Sequence, residues 1–139
     1  MIAEALHNLI VNDSLAASLA TWEFADGVPT PAVFTLDTGA PPAGSGRPAI
    51  VIEERGGEPW GTRGHTGADV RARVHVFGER TGASVRDLAW QVKELIDRAR
   101  PALTGYDIIQ LIAEPPARET DAAGFPGYRI DVRLLALKQ

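Results

Sequence analysis

The chain has 139 residues, 45% of them apolar, and a formal net charge of −4 from 14 Lys and Arg against 18 Asp and Glu. That length suits one domain around one core, and the charge excludes a large basic footprint for non-specific duplex binding. With no cysteine, disulfide frameworks, thiolate metal sites and cysteine catalysis are excluded as well.

Ile2, Leu6, Leu9 and Ile10 sit at helical spacing. The same segment carries no positively charged leader and no small-residue cleavage site, so no signal peptide is expected. Asn12-Asp13-Ser14 interrupts the helix, and Asp13 or Ser14 can cap a second short one carrying Leu15 and Leu19. Residues 21–48 then read as an irregular arm rich in proline and glycine, with Val33-Phe34 as a short strand inside it. A segment this long with little regular structure is commonly functional or ordered by a partner.

Ala49 to Glu54 reads as a strand. Residues 56–68 follow, holding Gly56, Gly57, Gly61, Gly64 and Gly67 around Trp60, and are expected to form a long hairpin loop. The next strand alternates. Val70, Ala72, Val74 and Val76 share one face; Arg71, Arg73, His75 and Phe77 share the other. After a turn through Gly78 and Gly82 the period becomes helical. Val85, Leu88, Ala89, Val92, Leu95, Ile96 and Ala99 form one apolar stripe, with Ser84 as the expected N-cap and Pro101 as the stop.

Ile108, Ile109, Leu111 and Ile112 predict a largely buried fourth strand, ended by Pro115-Pro116. Residues 117–127 read as polar and turn-rich. The last strand alternates again, with Tyr128, Ile130, Val132 and Leu134 opposed to Arg129, Asp131 and Arg133. The expected fold is α+β: an antiparallel or mixed sheet of about four to five strands, with the N-terminal helix and the long helix packed on one face. A single domain spans 1–139, and no apolar run reaches the length of a membrane span.

Motifs for chemistry are sparse. No phosphate-binding P-loop, nucleophile elbow or HExxH pair occurs. His7, His65 and His75 lack ligand spacing, and His75 shares its strand face with Arg71 and Arg73, a poor setting for a metal cation. No catalytic, metal or cofactor residue is assigned, and no cofactor is expected.

The informative residues are of another kind. Trp60 lies between Pro59 and Gly61; it either folds back on its own hairpin or anchors another chain, as large rigid aromatics do at interfaces. Arg71, Arg73, Arg129, Asp131 and Arg133 occupy one polar sheet face, which is either solvated or a subunit contact. With Trp22 and Phe24 of the arm, and Arg63 and His65 of the loop, these residues form the candidate protein–protein interface.

The order of elements resembles that of the tail-completion, or tail-terminator, proteins of long-tailed bacteriophages and phage-like particles such as gene-transfer agents. The matching pieces are Ile2-Ala-Glu-Ala-Leu6, Leu15 to Leu19, Val33-Phe34, Pro41 to Gly44 and Pro48 to Ile52. Then come the loop with Trp60, the strand Val70 to Phe77 leading into the Ser84 helix, and the closing strand Tyr128 to Leu137. The segment from Trp22 to Thr30 is longer than the family pattern. The resemblance implies a virion protein of the tail or neck, assembled in the host cytoplasm. It implies a homo-oligomeric ring, typically a hexamer, that ends the tail tube and seats the head-closure connector, with DNA passing through the lumen without specific binding. A neighbouring neck protein, such as a head-closure or adaptor ring subunit, remains the alternative, and a small cytosolic enzyme a more distant one.

Overall fold

The computed structural model describes residues 2–23, 27–36, 41–42, 46–62, 65–78, 83–99, 103, 105–120, 124 and 126–139, with backbone alone for 57–62, 65–66 and 83–84. In chain order the elements are α1 (Ile2–Val11), a 3₁₀ helix (Ser14–Ser18), β1 (Thr21–Glu23), β2 (Pro29–Pro31) and β3 (Val33–Thr35). Then come β4 (Ala49–Thr62), β5 (His65–Phe77), α2 (Ala83–Arg98), β6 (Tyr106–Ala113), β7 (Ala117–Thr120) and β8 (Pro126–Lys138). The architecture is α+β, as expected, but the sheet is larger: six strands in the order β3-β4-β5-β8-β6 with β7 also on β8, beside a two-stranded β1–β2 ribbon. β3 runs parallel to β4 and the other ladders are antiparallel.

Alternation does the sorting. Ala72, Val74 and Val76 of β5 and Ile130, Val132, Leu134 and Ala136 of β8 point to the same side as Ile50 and Ile52 of β4. Both helices cover that side. Ile2, Leu6 and Ile10 of α1 and Val85, Leu88, Ala89, Val92 and Ile96 of α2 complete one continuous core. The predicted stripe is thus the buried stripe, save that Leu95 is only half-buried at its margin. Trp90, beside it in sequence, is 39% exposed.

Local chemistry fixes the joints. Asp13 caps the 3₁₀ helix, its carboxylate accepting the Leu15 N–H at 3.0 Å. Glu54 accepts the Ala3 N–H at 3.0 Å and ties the first turn of α1 to β4. That bond is the main reason the Glu54 carboxyl is held below its ordinary value. Asp97 accepts the Ala113 N–H at 2.9 Å, linking α2 to the end of β6, and pairs with Lys93 one turn earlier.

Several expectations change. The stretch 56–68 is not a loop: β4 and β5 stay paired from Ala49–Phe77 out to Thr62–His65. Glycine works here as backbone relief. One extra residue sits between Glu54 and Gly57, and Gly56 takes the left-handed φ of 83° at that bulge. Ser84 lies inside α2, which already begins at Ala83; Pro101 is outside the described residues.

Ile109 is the extra residue of a second bulge, between Ile108 and Gln110 against β8. It leaves the alternation and is 52% exposed, while Leu111 and Ala113 are buried. Residues 117–120, read as turn-rich, form β7 on the same edge of β8 as β6. The intervening Pro115-Pro116 lack the N–H groups a ladder needs. The arm 21–48 is not irregular throughout either, since it contributes β1, β2 and β3.

Ile96→Ala should cost about 2–5 kcal/mol, because it empties a fully buried position. An unchanged urea midpoint would show that α2 does not build the core. Glu54→Gln should weaken the docking of α1 at neutral pH. A carboxylate held below its ordinary value stabilises the fold above that value and loses its effect as pH falls through the lowered one. The gap between variant and wild type, read by denaturant unfolding, should therefore narrow on acidification.

Candidate assembly surface

The opposite sheet face has two zones. At one end a small apolar cluster joins Ala32, Phe34, Ala49, Val51 and Phe77, with Ala20, Trp22 and Leu36 packed against it. Trp22 meets Phe34 edge-on, ring centroids 5.8 Å apart and planes at 75°. The β1–β2 ribbon thus lays Trp22 on its own sheet. Gly127 lies opposite Phe77, and a Cβ there would stand 2.6 Å from the Phe77 ring. Glycine is what lets the ring lie flat across β8.

The other zone is charged. Arg73 donates to Asp131 at 3.0 Å, and Arg129 Nε lies 3.8 Å from the same carboxylate. Arg133 grips Asp69 through two bonds of 3.0 and 2.8 Å. The Arg133 hydrogen bond holds the Asp69 carboxyl below its usual range, and Asp69 raises the guanidinium in turn. Arg71 is exposed and faces Arg133 across the ladder, a like-charge pair. Arg55, Arg71, Arg73 and Arg133 line a shallow depression of about 540 Å³ with Glu114 and Asp131.

Between the zones lies His75, 7% exposed, stacked on Phe77 with centroids 6.0 Å apart. Its Nδ1 meets Glu119 at 2.6 Å and its Nε2 meets Glu53 at 3.4 Å. Burial pulls the imidazole pKa down, but Glu119 and then Glu53 outweigh it and hold it above its ordinary value.

The structure therefore gathers Arg71, Arg73, Arg129, Asp131 and Arg133 on one face, as the alternation requires. Trp22 sits apart, in the apolar zone. Trp60 and His65 take ladder positions opposite Gly67 and Thr62, and their side chains lie outside the described residues, as do Phe24 and Arg63. Sequence reasoning missed Glu53, Asp69 and Glu119 as parts of this surface. The alternation could have found Glu53 and Asp69, which share the outward parity of Arg73. Among the described residues no cluster of His, Asp and Glu has the make-up of a metal site, and no helix is long and apolar enough to cross a membrane.

No protein with a curated description matches the chain. The sequence pattern of the family described as "Tail completion protein gp17" matches residues 6–137. The chain belongs to that family. It is a structural, tail-associated protein of a virion, not an enzyme. A chain from a solved structure described as "Virion of native gene transfer agent (GTA) particle" has the same fold, with a TM-score of 0.69 at 15% identity. The match covers 98% of this chain and 94% of that one.

The ion pairs of this face are too exposed to carry the fold. Asp131→Asn, which strips the partner from Arg73 and Arg129, should lower stability by less than about 1 kcal/mol. Urea unfolding at low and high salt would check this. A larger loss would make the network a structural element rather than a surface.

Proposed function

We propose that the chain closes into a ring, typically of six subunits in proteins of this kind, at the head-proximal end of the tail tube. There it stops tube growth and seats the head-closure connector, and DNA crosses its lumen without specific binding. The observation that carries this reading is the family match along residues 6–137. The net charge of −4 supports it, since an acidic chain can surround DNA without gripping it.

The contacts assigned to this role are the outward face of β5 and β8, with Arg71, Arg73, Arg129, Asp131 and Arg133, and the far end of the β4–β5 ladder with Trp60 and His65, together with Arg63 between them in sequence. Trp22 of the β1–β2 ribbon is assigned to this role as well, and so is Phe24, two residues on in sequence. A paired hairpin is a better arm than a loop, because less backbone has to be ordered when a partner binds. Arg71 is the strongest candidate on the face. It projects from the ladder beside another guanidinium, and a carboxylate from a neighbour would relieve that repulsion.

Deleting the gene should give overlong tubes or tails without heads under the electron microscope; normal infectious particles would overturn the assignment. Trp60→Ala and Arg71→Glu should leave unfolding nearly unchanged, within about 0.5 kcal/mol for Arg71→Glu as a surface change. Both should reduce the yield of joined particles. Normal yields from either variant would remove that residue from the contact surface.

A further inference from the structure

β7 is only four residues long and sits at the sheet edge behind Pro115-Pro116. Its ladder to β8 runs from Ala117–Arg129 to Thr120–Pro126, and Pro126 has no N–H to give. So short a ladder is weak by itself. One side chain ties it inward. Glu119 stands opposite Gly127, where no side chain blocks the way, and reaches across β8 to His75 Nδ1 at 2.6 Å.

Both His75 nitrogens face carboxylate oxygens, Glu119 on one side and Glu53 at 3.4 Å on the other. A neutral imidazole has one donor and one acceptor, so one of its nitrogens would turn a lone pair toward a carboxylate. The imidazolium donates to both. Of the other charged groups around it, Arg129 stands directly opposite His75 in the β5–β8 ladder, its Nε making no hydrogen bond, and opposes the proton that the two carboxylates favour. Arg55 lies 3.5 Å from Glu53, and Arg73 and Arg129 both turn to Asp131, at 3.0 and 3.8 Å.

We propose that His75 is a proton-dependent latch: its imidazolium holds β7 on the edge of β8 through Glu119, and loss of the proton loosens β7. The coupling is reciprocal. Each unit by which docking raises the His75 pKa strengthens docking about tenfold while the ring stays protonated. Because the value is raised, the latch is closed below the ordinary histidine range and opens as pH rises through the raised one. Opening bares the Gly127–Arg129 edge of β8, a row of backbone donors and acceptors that can pair with another strand.

The test uses the full chain and nuclear magnetic resonance. The His75 ring is titrated, and amide exchange of β7 is followed from about pH 6 to about pH 8.5, on either side of the histidine range, corrected for the intrinsic rate. The His75 midpoint should exceed the ordinary value of about 6.5. Protection of β7 amides should fall about tenfold or more for each unit of that excess, while Val74 and Ile130 at the sheet centre keep theirs. Glu119→Gln preserves size but removes the charge. It should lower the His75 midpoint and bring β7 protection at low pH down to the high-pH level. A wild-type midpoint at or below the ordinary value would overturn the latch. So would β7 protection that does not change with pH, or a Glu119→Gln chain that behaves as wild type. The wild-type measurements decide the matter even if the variant fails to fold.

Discussion

Eleven consecutive residue pairs, from Gly67–Leu137 to Phe77–Gly127, lock β5 against β8, and a slip of one residue would turn Val74 and Ile130 toward water and drive Arg73 and Asp131 into the core. The register therefore has one acceptable solution, and the rest of the molecule is built on it. The helices cover the face that Val74 and Ile130 present. β4 must present Ile50 and Ile52 to the same side. β6 and β7 share the far edge of β8 because β5 occupies the near one.

The two bulges are adjustments to that frame. At Gly56 the extra residue lets β4 keep its inward parity on both sides of the irregularity, so Glu54 and Gly57 both stand opposite inward positions of β5. At Ile109 the same device keeps Ile108 and Leu111 on the core side, and it costs the burial of one isoleucine. An exposed isoleucine on an edge strand and a half-exposed Trp90 on α2 are features that an assembled protein tolerates more readily than a solitary one.

The outward face separates two kinds of electrostatics. Around Arg71, Arg73 and Arg133 the pairs are open to water and can exchange partners at little cost, as suits a contact surface. Around His75 the setting is more enclosed, with His75 and Glu53 buried and Glu119 half-buried, and each proton matters more. The labile network and the more enclosed one thus lie side by side on the outward face of one sheet.

The alternation on β5 and β8 and the stripe on α2 were legible in the sequence, because they are local periodicities that burial must respect. So were the α+β class, a cap at Asp13 or Ser14, the gathering of the arginines on one face and the family. The hairpin through residues 56–68 was not legible. Its glycines argue for a loop, and only cross-strand pairing with β5 overrides that preference. β7 was hidden for a related reason: four polar residues gain strand structure from an edge of β8 formed by distant sequence. Ile109 read as buried because a bulge has no local signature. The His75 cluster joins three elements, with Glu53 22 residues away and Glu119 44 residues away. The sequence by itself determined which faces are apolar and which are charged. Only the tertiary structure decided which charges meet, because that depends on register between strands, and register is a property of pairs.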